Sequence, residues 1–394
     1  MSVSFFRDLL ARARFLLVGG KAPIARIPVS GRLAGKDIET TTDSEAARYY
    51  LEDYKENRNT NPDLHSRIDQ LRQNTTISDF NRDFFKDLGE AFSPDFASLF
   101  FADFMSETEP NKGMQSAFNS TFLDLKKATT NGGAAASPEL AASYLLLFMP
   151  GWHYKTFRDT GADFAMPRAA LSRLGFQAHL IEADENGSIE HNAAIIAEEI
   201  IRYSKLGLKI ILVGASKSCP EGAMAVGELL KPEQAQCVKA LINIGGLLQG
   251  SLLANFALDR PLAWFIKPFF FLKGWDTAGL RSMKTDISRE RFLRLKIPDH
   301  VLVISYVGVP LSGQVSARAK HNFTTLREYG PNDGLTLLTD GCVPGGITLV
   351  EPGLDHYFQH PDMDLKAAAL AMTVIDYIER KNQSGMETPR CEGS

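Results

Sequence analysis

A serine in a turn flanked by small residues is the side chain of this sequence best placed for covalent chemistry. Ser216 follows the aliphatic run 210–213 and precedes a segment of helical pattern. Gly214 and Ser218, two positions before and after it, are small enough for neighbouring backbones to approach a strained strand-to-helix turn. The pattern predicts a nucleophilic Ser216 at the end of a buried strand. An ordinary strand-to-helix turn is the competing interpretation.

A serine hydroxyl needs a neighbouring base before it attacks well, and the base is expected after the last buried strand. Two histidines, His356 and His360, follow the apolar run 347–350. His356 comes first, on a loop loosened by Gly353, whereas His360 precedes a proline and the closing helix. We therefore predict His356 as the base, with His360 as the alternative.

An acid that orients the base is expected between the serine and the histidine in chain order. Asp333 meets this condition, because it lies in the segment 331–335 after the apolar run 301–307. Asn, Asp and Gly also favour turns in their own right, so a plain surface turn is the competing interpretation. Asp333 is the predicted acid, and Asp340 and Asp355 are the alternatives.

Attack on a carbonyl group produces an oxyanion that two backbone N–H groups must stabilise. One donor belongs to the residue after the nucleophile, here Lys217, and the other to the loop after an earlier strand. Trp152 is the predicted second donor, because it follows the apolar run 144–149 and Gly151 allows a close approach. His153 is out of order for a base and is interpreted as a loop or pocket residue.

Alternating strands and helices are predicted to position these residues. After residue 140, short apolar runs alternate with segments of helical period as far as a closing helix at 365–378. Continuous apolar runs are typical of strands covered on both faces of a parallel sheet, and repeated βα units build a doubly wound sheet. We predict an α/β catalytic domain at 140–381, followed by a disordered tail at 382–394.

The first part of the chain has a different rhythm. Apolar residues, many of them phenylalanine, recur with helical period between 43 and 127, and a Gly- and Pro-containing break follows at 129–138. We predict a helical, aromatic-rich N-terminal region at 1–139 that packs on the main domain. A lipid-binding surface is the alternative. An amphipathic helix among the first residues that contacts a membrane peripherally is a further alternative to plain packing.

A long insertion at about 249–296 separates two predicted strands and is expected to form a helical cap over the site. Its segment 262–272 is far more apolar than a solvent-facing loop, which favours contact with a hydrophobic ligand or with a membrane. Packing of the cap on the sheet alone is the competing interpretation. The residues predicted to line a substrate pocket are Trp264, Phe265, Phe269 and Phe270.

Composition and missing motifs exclude several classes of function. The net charge of -4 without a dense Lys/Arg run argues against nucleic acid as a partner. The four cysteines lack metal-site or disulfide-framework spacing, which favours a reducing, cytoplasmic setting. No segment approaches the ~20 apolar residues of a membrane span. Phosphate-loop, metal-helix and dinucleotide motifs are also missing, so we expect no metal and no organic cofactor.

Three segments, 214–218, 332–335 and 353–356, resemble in this order the α/β-hydrolase superfamily, and its lipase and esterase members in particular. The resemblance covers roughly the last three-fifths of the chain, and Ser218 departs from the glycine of the usual pattern. It implies a triad of Ser216, Asp333 and His356 that forms an acyl-enzyme for water to cleave.

The expected substrate is a small-molecule or lipid carboxylic ester with an apolar acyl or alcohol part. An acyltransferase using the same triad is one alternative. A catalytically silent hydrolase fold that binds lipid or serves as a scaffold is another. The sequence leaves the oligomeric state open.

Overall fold

A hairpin and a series of helices open the described part of the chain. The computed structural model describes residues 24–130, 138–259 and 276–384. The first elements are the strands β1 (Ile27–Leu33) and β2 (Lys36–Thr42) and the helices α1 (Glu45–Tyr49), α2 (Pro62–Gln73), α3 (Arg82–Ala91), α4 (Pro94–Glu107) and α5 (Asn111–Thr130).

A parallel sheet of six strands, alternating with helices, forms the centre of the protein. The helices and strands that follow α5 are α6 (Pro138–Ser143), β3 (Tyr144–Met149), α7 (Ala165–Arg173), β4 (Gln177–Leu180), α8 (Ile189–Ser204), β5 (Lys209–Ala215), α9 (Ser218–Met224), α10 (Pro232–Ala235), β6 (Val238–Ile244), α11 (Leu252–Leu258), α12 (Ala278–Ser282), α13 (Thr285–Arg294), β7 (Leu302–Val309), α14 (Lys320–Leu326), β8 (Ile347–Pro352) and α15 (Met363–Ser384). The strand order is β4-β3-β5-β6-β7-β8, and each neighbouring pair is parallel. This confirms the predicted doubly wound sheet.

Helices cover both faces of the sheet, which explains why its central strands are apolar throughout. Phe118 of α5 and Val374 of α15 belong to one buried cluster with Ile304 of β7. On the opposite face, Ile196 of α8 packs in a second cluster with Leu212 of β5. Alternate residues of each central strand therefore meet apolar side chains on both sides.

Residues 27–42 form a hairpin within the region predicted to be helical at 1–139. Strands β1 and β2 pair antiparallel, and the connecting residues Ala34 and Gly35 have φ values of +49° and +78°. Positive φ at both central residues matches the tight turn that suits a twisted hairpin. Buried side chains such as Val29 and Leu33 lie on one face, with period two. The helical prediction failed here because the strands contain few apolar residues, and Ile38 is the only aliphatic residue of β2.

Side chains of α5 bind the open edge of strand β8. The N–H of Thr348 donates to Asn111 Oδ1 (2.8 Å), and the N–H of Val350 donates to Gln115 Oε1 (2.9 Å). Both amides come from one face of α5, four residues apart. Unpaired N–H groups on an edge strand favour aggregation, so these bonds protect the edge.

The N-terminal helices share a core with the last two strands. Phe101 of α4 lies in one buried cluster with Val307 of β7 and Val350 of β8. Arg82, at the start of α3, forms two-pronged hydrogen bonds with the buried carboxylate of Asp340 (Nη2 to Oδ2, 2.6 Å). The aromatic-rich helices thus pack on the sheet as well as on one another.

Some predicted features lie outside the described residues. Of the cap predicted at 249–296, the described parts are α11, α12 and α13. Residues 260–275 are outside, and with them Trp264, Phe265, Phe269 and Phe270. The same holds for residues 1–23 and 385–394. Helix α15 continues to Ser384, so residues 382–384 belong to this helix rather than to the predicted tail.

Within the described ranges, no helix combines the length and the apolar character needed to cross a membrane.

We expect Phe101→Ala to lower the free energy of unfolding by about 3–5 kcal/mol, the usual cost of deleting a fully buried aromatic ring. Because Phe101 packs with strand residues, the whole urea-unfolding transition should shift as one. Leu123→Ala is the control, since Leu123 is 52% exposed. Two separate transitions, of which only one moves, would contradict a shared core.

Candidate active site

Ser216 lies between β5 and α9 in a strained backbone conformation. Its φ of +57° is in the left-handed region, which is uncommon for a residue with a side chain. Its N–H donates to the carbonyl of Ile244 (2.9 Å), and its own carbonyl accepts the N–H of Leu247 (3.2 Å). The end of β6 and the segment that follows it thus hold the serine in this turn.

Ser218, which stands where the usual nucleophile turn has glycine, forms hydrogen bonds through its side chain. A Cβ atom at Gly214 would lie only 3.1 Å from Ser218 Oγ and 2.9 Å from Met149 Cε, which explains the glycine there. Ser218 Oγ donates to the carbonyl of Met149 (2.7 Å) and accepts the N–H of Ala215 (2.9 Å). The hydroxyl therefore ties the turn to the end of β3.

His356 and Asp333 form a buried pair near the carboxyl ends of the strands, where Ser216 also lies. Nδ1 of His356 lies 2.7 Å from Asp333 Oδ2, and the N–H of His356 donates to the carbonyl of Asp333 (2.9 Å). The other carboxylate oxygen accepts the N–H groups of Leu335 (2.9 Å) and Thr336 (2.8 Å). With Nδ1 bound to the acid, Nε2 is the ring nitrogen left for another partner.

A glycine brings the imidazole next to the segment that holds Ser216. Gly245 directly follows Ile244, whose carbonyl accepts the N–H of Ser216. A Cβ atom at Gly245 would lie 3.3 Å from Nδ1 of His356. Because Ser216 follows β5, Gly245 follows β6 and His356 follows β8, all three lie at the carboxyl edge of the sheet, where α/β proteins bind ligands.

The alternative acids have other partners. Asp340 is bound by Arg82 from helix α3. The carboxylate of Asp355 accepts the N–H of Ser316 (2.9 Å) and of Tyr357 (3.0 Å). The contacts to His356 Nδ1 thus favour Asp333 over both.

The pKa values of the two candidate bases shift in opposite directions. Burial acts to lower the pKa of His356, but the charge of Asp333 and its hydrogen bond outweigh this, so the pKa is raised. Burial and the nearby Lys366 lower the pKa of His360, whose Nδ1 accepts the N–H of Asp362 (3.0 Å). Of the two candidates, His356 is the one paired with a buried carboxylate.

The residues predicted to donate to the oxyanion lie on both sides of the turn. Lys217 stands immediately before helix α9, where N–H groups have no acceptor within the helix. A Cβ atom at Gly151 would lie 3.6 Å from the carbonyl oxygen of Ala215, an ordinary contact distance, so this loop lies beside the turn. Trp152, the next residue, packs against an apolar cluster that includes Leu247. The loop after β3 therefore reaches the turn.

His153 is a buried neighbour of this loop. Its φ is +56°, and its N–H donates to the carbonyl of Glu185 (3.4 Å). Burial, and to a smaller extent the charge of Lys217, lower the pKa of His153 to about 4, although Glu185 acts to raise it. The ring is therefore neutral at neutral pH.

The side chain of Lys217 is a feature that sequence reasoning missed. It forms an ion pair with Glu221, and the two side chains are 2% and 1% exposed. Asn192 donates from Nδ2 to Glu221 Oε1 (2.9 Å). The i,i+4 spacing of Lys217 and Glu221 is a known signal for a helical ion pair, but spacing alone does not indicate burial.

Comparisons with known proteins give structural matches. No family model and no curated protein matches this chain. A metagenomic carboxyl esterase is similar at 20% identity, with a TM-score of 0.50, over 63% of this chain and 78% of that chain. A Bacillus licheniformis lipase in its mature form has 19% identity and a TM-score of 0.48, over 63% of this chain and 96% of its own. A Legionella pneumophila phospholipase has 13% identity and a TM-score of 0.41, over 61% of this chain and 64% of its own.

The similarity to the carboxyl esterase bears on the fold alone, because the identity is low. It agrees with the parallel sheet and the helices on both faces. The resemblance stated from three sequence segments is confirmed at this level: the chain has the α/β-hydrolase fold.

Proposed function

We propose that this protein is a serine hydrolase that cleaves carboxylic esters with an apolar acyl or alcohol part through an acyl-enzyme on Ser216. One observation carries the proposal: a serine in a left-handed turn shares the carboxyl edge of the sheet with a buried His356–Asp333 pair. A strained serine, a base and an acid in this chain order are the components of nucleophilic acyl transfer.

Each proposed role follows from the chemistry of the group. His356 Nε2 takes the proton of Ser216 as Oγ attacks the carbonyl carbon of the ester. Asp333 holds Nδ1, which fixes the tautomer and stabilises the imidazolium that forms. The N–H groups of Lys217 and Trp152 donate to the oxyanion of the tetrahedral intermediate.

The cycle closes in two further steps. The intermediate collapses as His356 returns the proton to the leaving alcohol, so that the acyl group stays on Ser216. Water then attacks the acyl-enzyme while His356 again takes a proton. His356 then gives this proton to Ser216 Oγ as the bond between Oγ and the acyl carbon breaks, so the carboxylic acid leaves and the serine hydroxyl is restored.

Apolar surroundings support an apolar substrate. Leu247 donates its N–H to the carbonyl of Ser216 and is therefore close to the serine backbone. Its side chain belongs to a buried apolar cluster that includes residues of the described part of the cap. The other buried members are Ile189, Ala254, Leu280 and Met283. The apolar segment 262–272 adds sequence support for the same conclusion.

The triad is tested by labelling with a fluorophosphonate. We expect one labelled serine in the wild type, and Ser216→Ala should abolish labelling and turnover with the fold intact. His356→Ala should do nearly the same. Asp333→Asn should lower turnover on the order of 10⁴-fold, because the acid orients the base without reacting.

Asp340→Asn is the matched control for this triad, since it removes a buried carboxylate paired with Arg82. It should lower stability and reduce the turnover of the folded fraction far less than Asp333→Asn does. Unchanged labelling of folded Ser216→Ala would refute the assignment of the nucleophile. Full activity in Asp333→Asn together with loss in Asp340→Asn would move the acid role to Asp340.

The raised pKa of His356 predicts the acid limb of the pH profile. The base acts in its neutral form, so kcat/KM should rise with pH around a midpoint above the ordinary histidine value of 6.5. Asp333→Asn removes the charge that raises this pKa and leaves burial, which lowers it. NMR titration of His356 in that variant should therefore give a lower midpoint than in the wild type. An equal midpoint in both proteins would contradict the coupling of His356 to Asp333.

Substrate preference is tested with a series of acyl esters from acetyl to decanoyl. We expect kcat/KM to rise with chain length, and Phe270→Asp to blunt this rise by placing a charge in the apolar segment. Leu123→Asp, at an exposed position of α5, is the control. Preference for acetyl esters in every variant would contradict an apolar substrate. Transfer of the acyl group to an added alcohol in place of hydrolysis would identify an acyltransferase.

A further inference from the structure

A buried polar network begins at Lys217, the residue that follows the proposed nucleophile. The ammonium group of Lys217 pairs with Glu221 Oε1, which also accepts Nδ2 of Asn192 (2.9 Å). All three residues are 2% exposed or less. Lys217 is the residue whose backbone N–H is proposed to bind the oxyanion, so the network begins at one of the two donors.

The network continues into the loop that follows β4. Asn192 Nδ2 also donates to the carbonyl of Asp184 (2.9 Å), and its Oδ1 accepts the N–H of Asp184 (3.1 Å). These two hydrogen bonds fix the orientation of the Asn192 amide, with Nδ2 toward Glu221. The turn that begins at Asp184 is thereby fixed to helix α9.

The same turn holds the loop that carries the second donor. The carbonyl of Glu185 accepts the N–H of His153 (3.4 Å), the residue directly after Trp152. The carboxylate of Glu185 accepts the N–H groups of Lys155 (3.1 Å) and Thr156 (2.9 Å). A connected set of hydrogen bonds therefore runs from the Lys217 side chain to the neighbour of Trp152.

We propose that Glu221 is a positioning residue for the oxyanion site and fixes the distance between the N–H groups of Lys217 and Trp152. The inference rests on the proposed function, since it concerns the intermediate of that reaction. Glu221 links the two parts of the network, because its Oε1 accepts hydrogen bonds from both Lys217 and Asn192. Its removal separates the two donor loops without touching the triad.

The physical reason for such a device is the sensitivity of oxyanion stabilisation to geometry. Donors act strongly only when they are already aimed at the position of the developing charge. A misplacement of about 1 Å can cost on the order of 10²-fold in rate. Stability alone is a poor reason to keep the pair, because apolar replacement of buried ion pairs is often neutral or stabilising.

The test compares Glu221→Gln with the double variant Lys217→Met/Glu221→Met. Glu221→Gln keeps the shape of the side chain but weakens its bond to Lys217. The double variant removes both charges, so no unpaired charge stays buried to unfold the protein. Both should lower kcat by roughly 10- to 100-fold, less than the deletion of a donor costs, with KM nearly unchanged.

Two readouts separate positioning from a general loss of structure. A trifluoromethyl ketone, whose adduct with serine carries an oxyanion, should bind more weakly in proportion to the loss of kcat/KM. The acid limb of the pH profile should stay where it is, because His356 and Asp333 are untouched. Asp103→Asn is the control: its buried carboxylate pairs with Lys55 and Arg72 on the N-terminal helices, and kcat should not change.

The outcomes are distinct. Unchanged kcat and ketone affinity in the double variant of an active enzyme would overturn the positioning role and leave the proposed function intact. A parallel loss of ketone affinity and kcat supports the role. A wild type that neither turns over esters nor reacts with fluorophosphonate would overturn the proposed function, and this inference with it.

Discussion

The left-handed backbone of Ser216 is the constraint to which the rest of the site is fitted. A residue with a side chain pays about 1–3 kcal/mol for such a conformation, and it persists only where the surroundings hold it. Here the last residue of β6, Ile244, binds the N–H of Ser216, and Leu247 in the following segment binds its carbonyl. Close packing around the turn requires glycine at 214 and 245, since a Cβ at either would lie 2.9–3.3 Å from a neighbouring side chain. The hydrogen bonds at the carboxyl edge of the sheet thus hold Ser216 in the conformation that the proposed nucleophile requires.

The N-terminal region supports the acid and base half of the site. Asp340 lies between Asp333 and His356 in the chain, and Arg82 of α3 binds its carboxylate. Asn111 and Gln115 of α5 bind the edge of β8, the strand that leads to His356. Elements more than 200 residues away in the chain therefore anchor the two segments from which Asp333 and His356 project. This gives the aromatic helices a structural purpose that does not depend on any ligand.

Chain order and continuous apolar runs were enough to predict the parallel sheet and to select Ser216, Asp333 and His356 as candidates. The sequence already favoured Asp333 over Asp340, and the fold adds the partners of each carboxylate: Asp333 contacts His356 Nδ1, whereas Arg82 binds Asp340. The hairpin at 27–42 was missed because its two seven-residue strands contain few apolar residues, so that the alternation is weak. The burial of Lys217 was missed because it depends on Asn192 and on the packing of α8 against α9, which local sequence does not encode.

Environment, rather than residue type, separates the roles of the two buried histidines near Ser216. Burial disfavours the charged form of both rings. For His356 the buried carboxylate of Asp333 reverses the effect, so that the imidazolium needed during proton transfer is stabilised. For His153 the nearby Lys217 adds to the effect of burial, and the pKa falls to about 4. His153 thus stays neutral over the pH range in which His356 titrates, and its ring adds no second charge beside the oxyanion donors. The carboxylate of Glu221 likewise offsets the positive charge of the Lys217 ammonium group.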